Sequence, residues 1–196
     1  MQTFTDLSEE EQRALLSLAR WTIGRELGLS VPADFFSSFA SFSKEHPVLR
    51  QKTGAFVTLR KSGDLRGCIG NMTSRSALHE TIASMALSSA FRDPRFSPLS
   101  KEEFQEISIE ISVLSPLVQV DSLKELEPGT HGLYLTRGYR SGVLLPQVAT
   151  EQGWNREEFA LHTCRKAGLP PEALEDPETR MEIFTASIFS EEDFQP

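Results

Sequence analysis

The chain has 196 residues, of which 39% are hydrophobic and 24% are charged, with 12 glycines and 11 prolines. These proportions are those of an ordinary globular domain, and they exclude collagen-like, low-complexity and disordered chains. Twenty basic residues against 28 acidic residues give a formal net charge of −8. This charge disfavours nucleic-acid binding unless a local basic patch overcomes it.

Hydropathy and cysteine content bear on the cellular location. No apolar run approaches the roughly 20 residues that a membrane-spanning helix needs. Residues 1–10 are acidic and polar, and they lack the basic and apolar regions of a secretory signal. Cys68 and Cys164 are too few for a disulfide framework. The sequence therefore predicts a cytoplasmic protein with free thiols and no membrane contact.

Two features precede the first predicted strands. Ser8, with Glu11 three residues later, predicts a capping box that opens a helix, and Gly28 predicts its end. A serine-rich stretch with several phenylalanines follows, and we interpret these rings as core anchors rather than as a ligand cage. They are Phe35, Phe36, Phe39 and Phe42.

A β-hairpin and a helix are predicted next. Residues 53–60 and 65–69 are strand-like and are joined by the turn residues 61–64. Residues 73–74 form a cap region that predicts the start of a helix. This helix should end near Phe91, because a proline follows three residues later.

The clearest strand is Ile107–Leu114, in which isoleucine and valine alternate with serine and glutamate. Residues 133–136 and 139–145 predict a second hairpin. Asn155, with a glutamate three residues later, predicts a cap for a helix that runs to Ala167.

Residues 181–189 predict a final strand. Hairpins and helices without regular βαβ alternation indicate an α+β fold with mainly antiparallel sheets flanked by helices. No linker is long enough to separate independent domains. We therefore expect residues 1–196 to form a single domain.

Cys68 lies between Gly67 and Gly70 and is the first candidate for chemistry. The glycines allow a reactant to approach the backbone closely. Arg66 shares a face with Cys68 if the strand is regular, and a nearby positive charge favours the nucleophilic thiolate. The alternative is that Cys68 is a small buried hydrophobe in a packing site that tolerates glycine.

Two residues are candidates for acid–base roles. Glu110 interrupts an apolar strand, and it is either a carboxylate near the thiol or only the polar side of a half-buried sheet. His131 lies at the start of a predicted strand, where it is either a general base that pairs with Cys68 or a turn histidine.

Further residues are candidates for substrate binding. The loop that starts at Arg92 and Asp93 and continues to Arg95 either grips an anion or pairs Asp93 internally with one arginine. Gln147 follows a helix-initiating proline and offers an amide to a nearby site. Metal-ligand spacings and nucleotide-binding glycine motifs are absent from the sequence, so we predict no metal site and name no cofactor.

The motifs together resemble one family. Residues 65–70 (LRGCIG), 90–96, 109–114 and 144–148 occur in the order of its conserved blocks, as do residues 153–154 and 166–169. This is the AMMECR-type domain family, also called AmmeMemoRadiSam system protein A. The resemblance implies an α+β fold with a larger and a smaller lobe, closely packed, and the hexapeptide near a cleft between them. It also implies a gene context with a Memo-like protein and a radical S-adenosylmethionine protein, and hence a metabolic or protein-modifying partnership with them.

The resemblance implies no reaction. Our leading expectation is an enzyme or enzyme subunit that uses a cleft thiol on a small anionic or modified substrate. In this interpretation Cys68, Glu110 and His131 are catalytic. The residues that bind the substrate are Arg66, Arg92, Asp93 and Gln147. The main alternative is a non-catalytic scaffold for the two partners. A weaker alternative is a nucleic-acid-binding regulator, whose basic residues would be Arg60, Lys61, Arg66, Arg92 and Arg95.

Overall fold

The computed structural model describes residues 7–194, which divide into two compact units. The first unit comprises the chain up to Leu114 together with the chain from Ser187 onward, and the second comprises Ser115–Ala186. Each unit has its own four-stranded sheet. Within residues 7–194, no helix is both long and apolar enough to cross a bilayer.

The elements follow one another without regular βαβ alternation. The helices are α1 (Glu9–Glu26), α2 (Phe35–Glu45), α3 (Leu78–Phe91), α4 (Pro146–Gln152) and α5 (Arg156–Ala167). The strands are β1 (Ala55–Lys61), β2 (Asp64–Asn71), β3 (Ile107–Leu114), β4 (Val118–Val120), β5 (Gly132–Arg137), β6 (Arg140–Leu144), β7 (Arg180–Phe184) and β8 (Ala186–Ser190).

The sheet of the first unit has the strand order β2-β1-β3-β8. Strand β1 is central and runs antiparallel to both β2 and β3. The alternate residues Val57, Leu59 and Ile109 are fully buried on one face, against which α1 and α3 pack. Because side chains alternate between faces, the other face of the same strands carries polar residues.

The sheet of the second unit has the order β4-β7-β5-β6, and the neighbouring strands run antiparallel. Helix α5 packs on β5 and β6, and fully buried Phe159 and Leu133 belong to the core of this unit. A methyl group at Gly142 would lie 2.4 Å from the backbone nitrogen of Ala167, so glycine permits the close approach of α5. The predicted α+β fold with antiparallel sheets is confirmed.

Local sequence signals placed several boundaries correctly. The Ser8 hydroxyl accepts a hydrogen bond from the Glu11 backbone at 3.3 Å, and the Glu11 carboxylate accepts one from the Ser8 backbone at 2.8 Å. A second capping box at Asn155 opens α5. The two helix starts predicted from capping boxes and the predicted strand Ile107–Leu114 are therefore confirmed.

Three predictions of local structure were wrong or incomplete. Helix α3 starts at Leu78 and not at residues 73–74, because the Ser74 hydroxyl bonds to the Ser76 backbone and the Thr81 side chain. Residues 181–189 form two strands instead of one, since the chain passes from the second unit to the first after Ala186. The phenylalanine-rich stretch is helical, which the sequence analysis did not predict.

Candidate functional site

Three polar residues form a row across the first sheet. Thr58 of β1 pairs directly with Cys68 of β2 on one side and with Glu110 of β3 on the other. Residues that pair directly across antiparallel strands point to the same face. The Thr58 hydroxyl donates a hydrogen bond to the Cys68 Sγ at 3.3 Å. We call Cys68, Thr58 and Glu110 the polar row.

The polar row is partly buried. Thr58 is 5% exposed, whereas Cys68 and Glu110 are half-buried. Arg60 lies on the same face, two residues from Thr58, and its Nε is 3.8 Å from Glu110 Oε2. The row therefore has a thiol at one end and a carboxylate paired with a guanidinium at the other.

Phe56 of β1 and Ser112 of β3 lie on the same face as the polar row, two residues further along their strands. Phe56 pairs with Gly70 and with Ser112. A methyl group at Gly70 would lie 2.2 Å from the Phe56 ring, so the second glycine of the hexapeptide allows the ring to lie over β2 beside Cys68. Ser112 is 1% exposed, and its hydroxyl has no hydrogen-bond partner within residues 7–194. A buried hydroxyl without a partner is uncommon in native proteins, and it marks this face as unusual.

The backbone of Cys68 is held by two side chains. Its N–H donates to Asp93 Oδ2 at 2.9 Å, and its carbonyl accepts from Arg95 Nη2 at 3.2 Å. Arg95 also donates to both Asp93 oxygens, at 2.9 and 2.7 Å. Because β2 is the outermost strand of its sheet, its outward backbone groups have no strand partner. We call this pair the Asp93–Arg95 clamp.

Helix α3 supports the next residue of the strand. The Ser89 hydroxyl accepts a hydrogen bond from the Ile69 backbone at 2.9 Å and donates one to the Val57 carbonyl at 2.7 Å. A methyl group at Gly67 would lie 2.3 Å from the Ser89 carbonyl oxygen, so glycine lets α3 approach β2 closely. Much of the hexapeptide thus has a packing role around the thiol.

Asp93 is ionised within the clamp. It is 4% exposed, and the hydrogen bond from Arg95, together with one from the Cys68 backbone, holds the pKa of its carboxyl well below its ordinary value despite burial. Of the two alternatives for this loop, the structure has the internal ion pair. Arg92, the other predicted binding residue, is exposed and has no side-chain partner within the described residues.

Arg66 does not follow the regular alternation of β2. The pairing register shifts between Leu59 and Arg60, which leaves Arg66 as an extra residue of the strand. Its guanidinium instead donates twice to Glu103, each at 2.9 Å. This bond lowers the pKa of Glu103 to about 2. The expectation that Arg66 shares the face of Cys68 rested on a regular strand, and the bulge removes that premise.

His131 and Gln147 belong to the second unit, whereas the other predicted site residues belong to the first. The Nδ1 of His131 accepts a hydrogen bond from the Glu127 backbone at 3.2 Å and so closes a turn before β5. The Oε1 of Gln147, on α4, is buried without a partner among the residues described. The first unit places Asp93 against the Cys68 backbone and Glu110 on the other side of Thr58, and the roles of His131 and Gln147 stay predictions.

The basic residues considered for nucleic-acid binding are largely paired with carboxylates. Arg60 pairs with Glu110, Lys61 with Glu106 at 3.0 Å, Arg66 with Glu103, and Arg95 with Asp93. Because each of these four cations faces a carboxylate, the set carries little net positive charge for an extended phosphate backbone, which nucleic-acid binding requires.

Three contributors to the site were missed by sequence reasoning. Thr58 and Ser89 were not singled out, and Arg95 was named only within the loop of residues 92–95 and in the basic set, without a role of its own. A hydroxyl in the middle of an apolar strand was the available signal for Thr58. The contact of Ser89 with β2 depends on the packing of α3, for which the sequence has no local signal.

Comparison with known proteins places the chain in a family. The AMMECR1 family model matches residues 16–189, and the chain therefore belongs to the AMMECR1 family. This confirms the resemblance inferred from the motifs.

Two curated relatives match over nearly the whole length of this chain. A protein of Methanothermobacter thermautotrophicus is 42% identical over 199 residues, which cover 96% of this chain and 98% of the relative. Protein MK0488 of Methanopyrus kandleri is 41% identical over 198 residues, covering 95% and 91%. The crystal structure of the uncharacterised protein PH0010 from Pyrococcus horikoshii matches with a TM-score of 0.79 and 38% identity, covering 91% of this chain and 90% of that one.

Proposed function

We propose that the protein is a thiol-dependent enzyme or enzyme subunit in which Cys68 is the nucleophile. The observation that carries this proposal is the hydrogen bond from the Thr58 hydroxyl to the Cys68 Sγ, within a row that ends at the Glu110 carboxylate. A donor directed at sulfur stabilises negative charge there, and a nucleophile with a nearby base is the general arrangement of covalent catalysis.

The unpartnered hydroxyl of Ser112 supports a ligand on the same face. Ser112 is next to Glu110 on this face of β3 and is 1% exposed without a hydrogen-bond partner in the described chain. A polar substrate bound among the side chains of this face would supply a hydrogen-bond partner for the Ser112 hydroxyl. The ring of Phe56 beside Gly70 forms an apolar wall next to the thiol.

The proposed step is a nucleophilic substitution at an electrophilic carbon. The Cys68 thiol loses its proton to the Glu110 carboxylate by way of solvent, and the hydrogen bond that the Thr58 hydroxyl donates to Sγ stabilises the resulting thiolate. The sulfur forms a bond to the carbon, and the displaced group leaves with the electron pair of its own bond and takes up the proton. Arg60, whose ion pair with Glu110 spans 3.8 Å, orients the carboxylate.

The substrate is a small anionic or modified molecule in this proposal. The protein would act in the cytoplasm. A Memo-like protein and a radical S-adenosylmethionine protein are the partners that family membership implies.

Hydrolysis of p-nitrophenyl acetate tests the nucleophile. Attack by Cys68 releases p-nitrophenolate and leaves an acetyl thioester, so we expect a burst of colour equal to the protein concentration, followed by a slower phase. Intact-mass spectrometry should find the acetyl group on the wild-type protein, and Cys68→Ala should abolish both signals. Cys164→Ser is the matched control and should keep them, because Cys164 is 1% exposed and burial raises the pKa of its thiol.

Thr58→Val tests whether the hydrogen bond to sulfur makes Cys68 reactive, or whether Cys68 reacts only because its thiol is accessible. The substitution keeps the shape of the side chain but removes the donor to sulfur. We expect a burst that is slower than in the wild type. Equal acetylation of the wild type and Cys68→Ala would contradict the nucleophile and favour the scaffold alternative.

A further inference from the structure

We infer that Arg95 binds the anionic group of a molecule that reacts at Cys68, and that Asp93 positions Arg95 for this contact. This inference rests on the proposed nucleophilic role of Cys68 and adds to it a substrate class: small electrophiles that carry a carboxylate or a similar anionic oxygen. The sequence analysis had assigned this role to Arg66 or Arg92 instead.

The clamp fixes the guanidinium against the residue that bears the thiol. Arg95 Nε and Nη2 donate to Asp93 Oδ1 and Oδ2, and Nη2 also donates to the Cys68 carbonyl at 3.2 Å. Asp93 in turn accepts from the Cys68 N–H at 2.9 Å. Planar guanidinium groups held at one edge in this way have little freedom to rotate. Any ligand of Arg95 is therefore held at a defined place beside Cys68.

The opposite edge of the same guanidinium is open. Arg95 Nη1 has no hydrogen-bond partner within residues 7–194, and the side chain is 54% exposed. Guanidinium has five N–H donors, and Asp93 with the Cys68 carbonyl occupies the Nε and Nη2 edge. The two donors of Nη1 remain for an oxygen of a ligand. The pKa of Arg95 is raised, chiefly by Asp93 and to a smaller extent by Cys68, so the cation persists at every physiological pH.

The other two arginines fit this role less well. Arg66 is only 11% exposed, and its Nε and Nη2 donate to Glu103 and to the Ser97 carbonyl. Its Nη1 also has no hydrogen-bond partner within residues 7–194, but this nitrogen is buried, whereas the Arg95 side chain is exposed. Arg92 is exposed, but no contact in the described chain holds its side chain near Cys68. Arg95 combines an open edge with a fixed position next to the thiol.

Paired alkylating agents test this assignment. Iodoacetate and iodoacetamide react with a thiolate in the same way: the sulfur attacks the methylene carbon, the C–S bond forms, the C–I bond breaks, iodide leaves, and the thiol proton goes to buffer. They differ in that iodoacetate carries a carboxylate and iodoacetamide is neutral. The ratio of their rates at Cys68 cancels the thiolate fraction, because both draw on the same sulfur.

We expect Arg95→Gln to lower the iodoacetate-to-iodoacetamide rate ratio about fivefold, the size of one charge–charge interaction at a partly exposed site. Arg95→Lys keeps the charge but cannot make the bidentate contact with Asp93, so it should retain only part of the ratio. Arg50→Gln is the matched control, since Arg50 is exposed and follows Leu49 in the helical layer on the other side of the sheet. It should leave the ratio unchanged. Rates are read by peptide mass spectrometry.

Two results would overturn the inference: an unchanged ratio in Arg95→Gln, or a fall that appears in Arg92→Gln instead. If Arg95→Gln does not fold, the wild-type ratio is measured from low salt to about 0.5 M, where screening should reduce it; a ratio independent of salt is then the contradicting result. Failure of both reagents to label native Cys68 would refute the proposed nucleophile itself. Labelling by both, with no dependence on Arg95, would refute only the anion site.

Discussion

At the scale of single residues, the thiol is placed by its neighbours in the hexapeptide. Gly67 has no side chain because the Ser89 carbonyl of α3 occupies the space, and Gly70 has none because the Phe56 ring does. The intervening Cys68 is then fixed through its own backbone by Asp93 and Arg95. Glycine is needed here for close approach, since neither position has a positive φ.

Gly67→Ala should destabilise the protein strongly. The new methyl group would lie 2.3 Å from a backbone oxygen, so β2 and α3 must separate, and overpacking of this kind costs about 2–3 kcal/mol. Urea unfolding measures the loss. Gly24→Ala in helix α1 is the control. Its new methyl group would lie 3.4 Å from the Phe104 ring, which is an ordinary van der Waals distance. Equal unfolding midpoints for the two variants would contradict the packing account.

At the scale of helices and strands, the sequence predicted those elements whose boundaries depend on local signals. The capping boxes at Ser8 and Asn155 fixed two helix starts, and strict alternation fixed β3. The end of the chain lacked such a signal. Residues 181–189 look like one strand, and only the partners available in each sheet divide them into β7 and β8.

The candidate site was predictable by residue type but not by arrangement. Cys68 and Glu110 were chosen because a thiol among glycines and a carboxylate in an apolar strand are unusual. Their placement on either side of Thr58 depends on the register of three strands, which is non-local. The bulge at Arg66 is likewise a property of the β1–β2 pairing, and it redirected a residue that alternation had assigned to the thiol.

At the scale of the whole molecule, the stability of an acidic chain depends on how its carboxylates are paired with cations. Glu103 has a pKa of about 2 in the folded protein, against an ordinary value of 4.5, because Arg66 bonds to its ionised form. A carboxyl whose pKa is lowered on folding stabilises the native state above its unfolded pKa. That contribution is lost as the pH falls towards the folded value.

Glu103→Gln should therefore destabilise the protein at neutral pH by about 2 kcal/mol and by progressively less below about pH 4.5. Urea unfolding of both proteins at a series of pH values between neutral and about pH 3 measures the difference. Glu106→Gln is the control, since its side chain is 56% exposed and its bond to Lys61 is a surface ion pair. A difference for Glu103→Gln that stays constant over this range would contradict the assignment.

The functional account depends on the Cys68 sulfur being reactive in the folded protein, and native alkylation tests this most directly. The folded chain is treated with iodoacetamide, and the two cysteine peptides are quantified by mass spectrometry over time. We expect Cys68 to be labelled completely while Cys164, buried in the core of the second unit, stays unlabelled until denaturant is added. If Cys68 is labelled only together with Cys164 on unfolding, the thiol is a packing residue and the proposed chemistry is wrong.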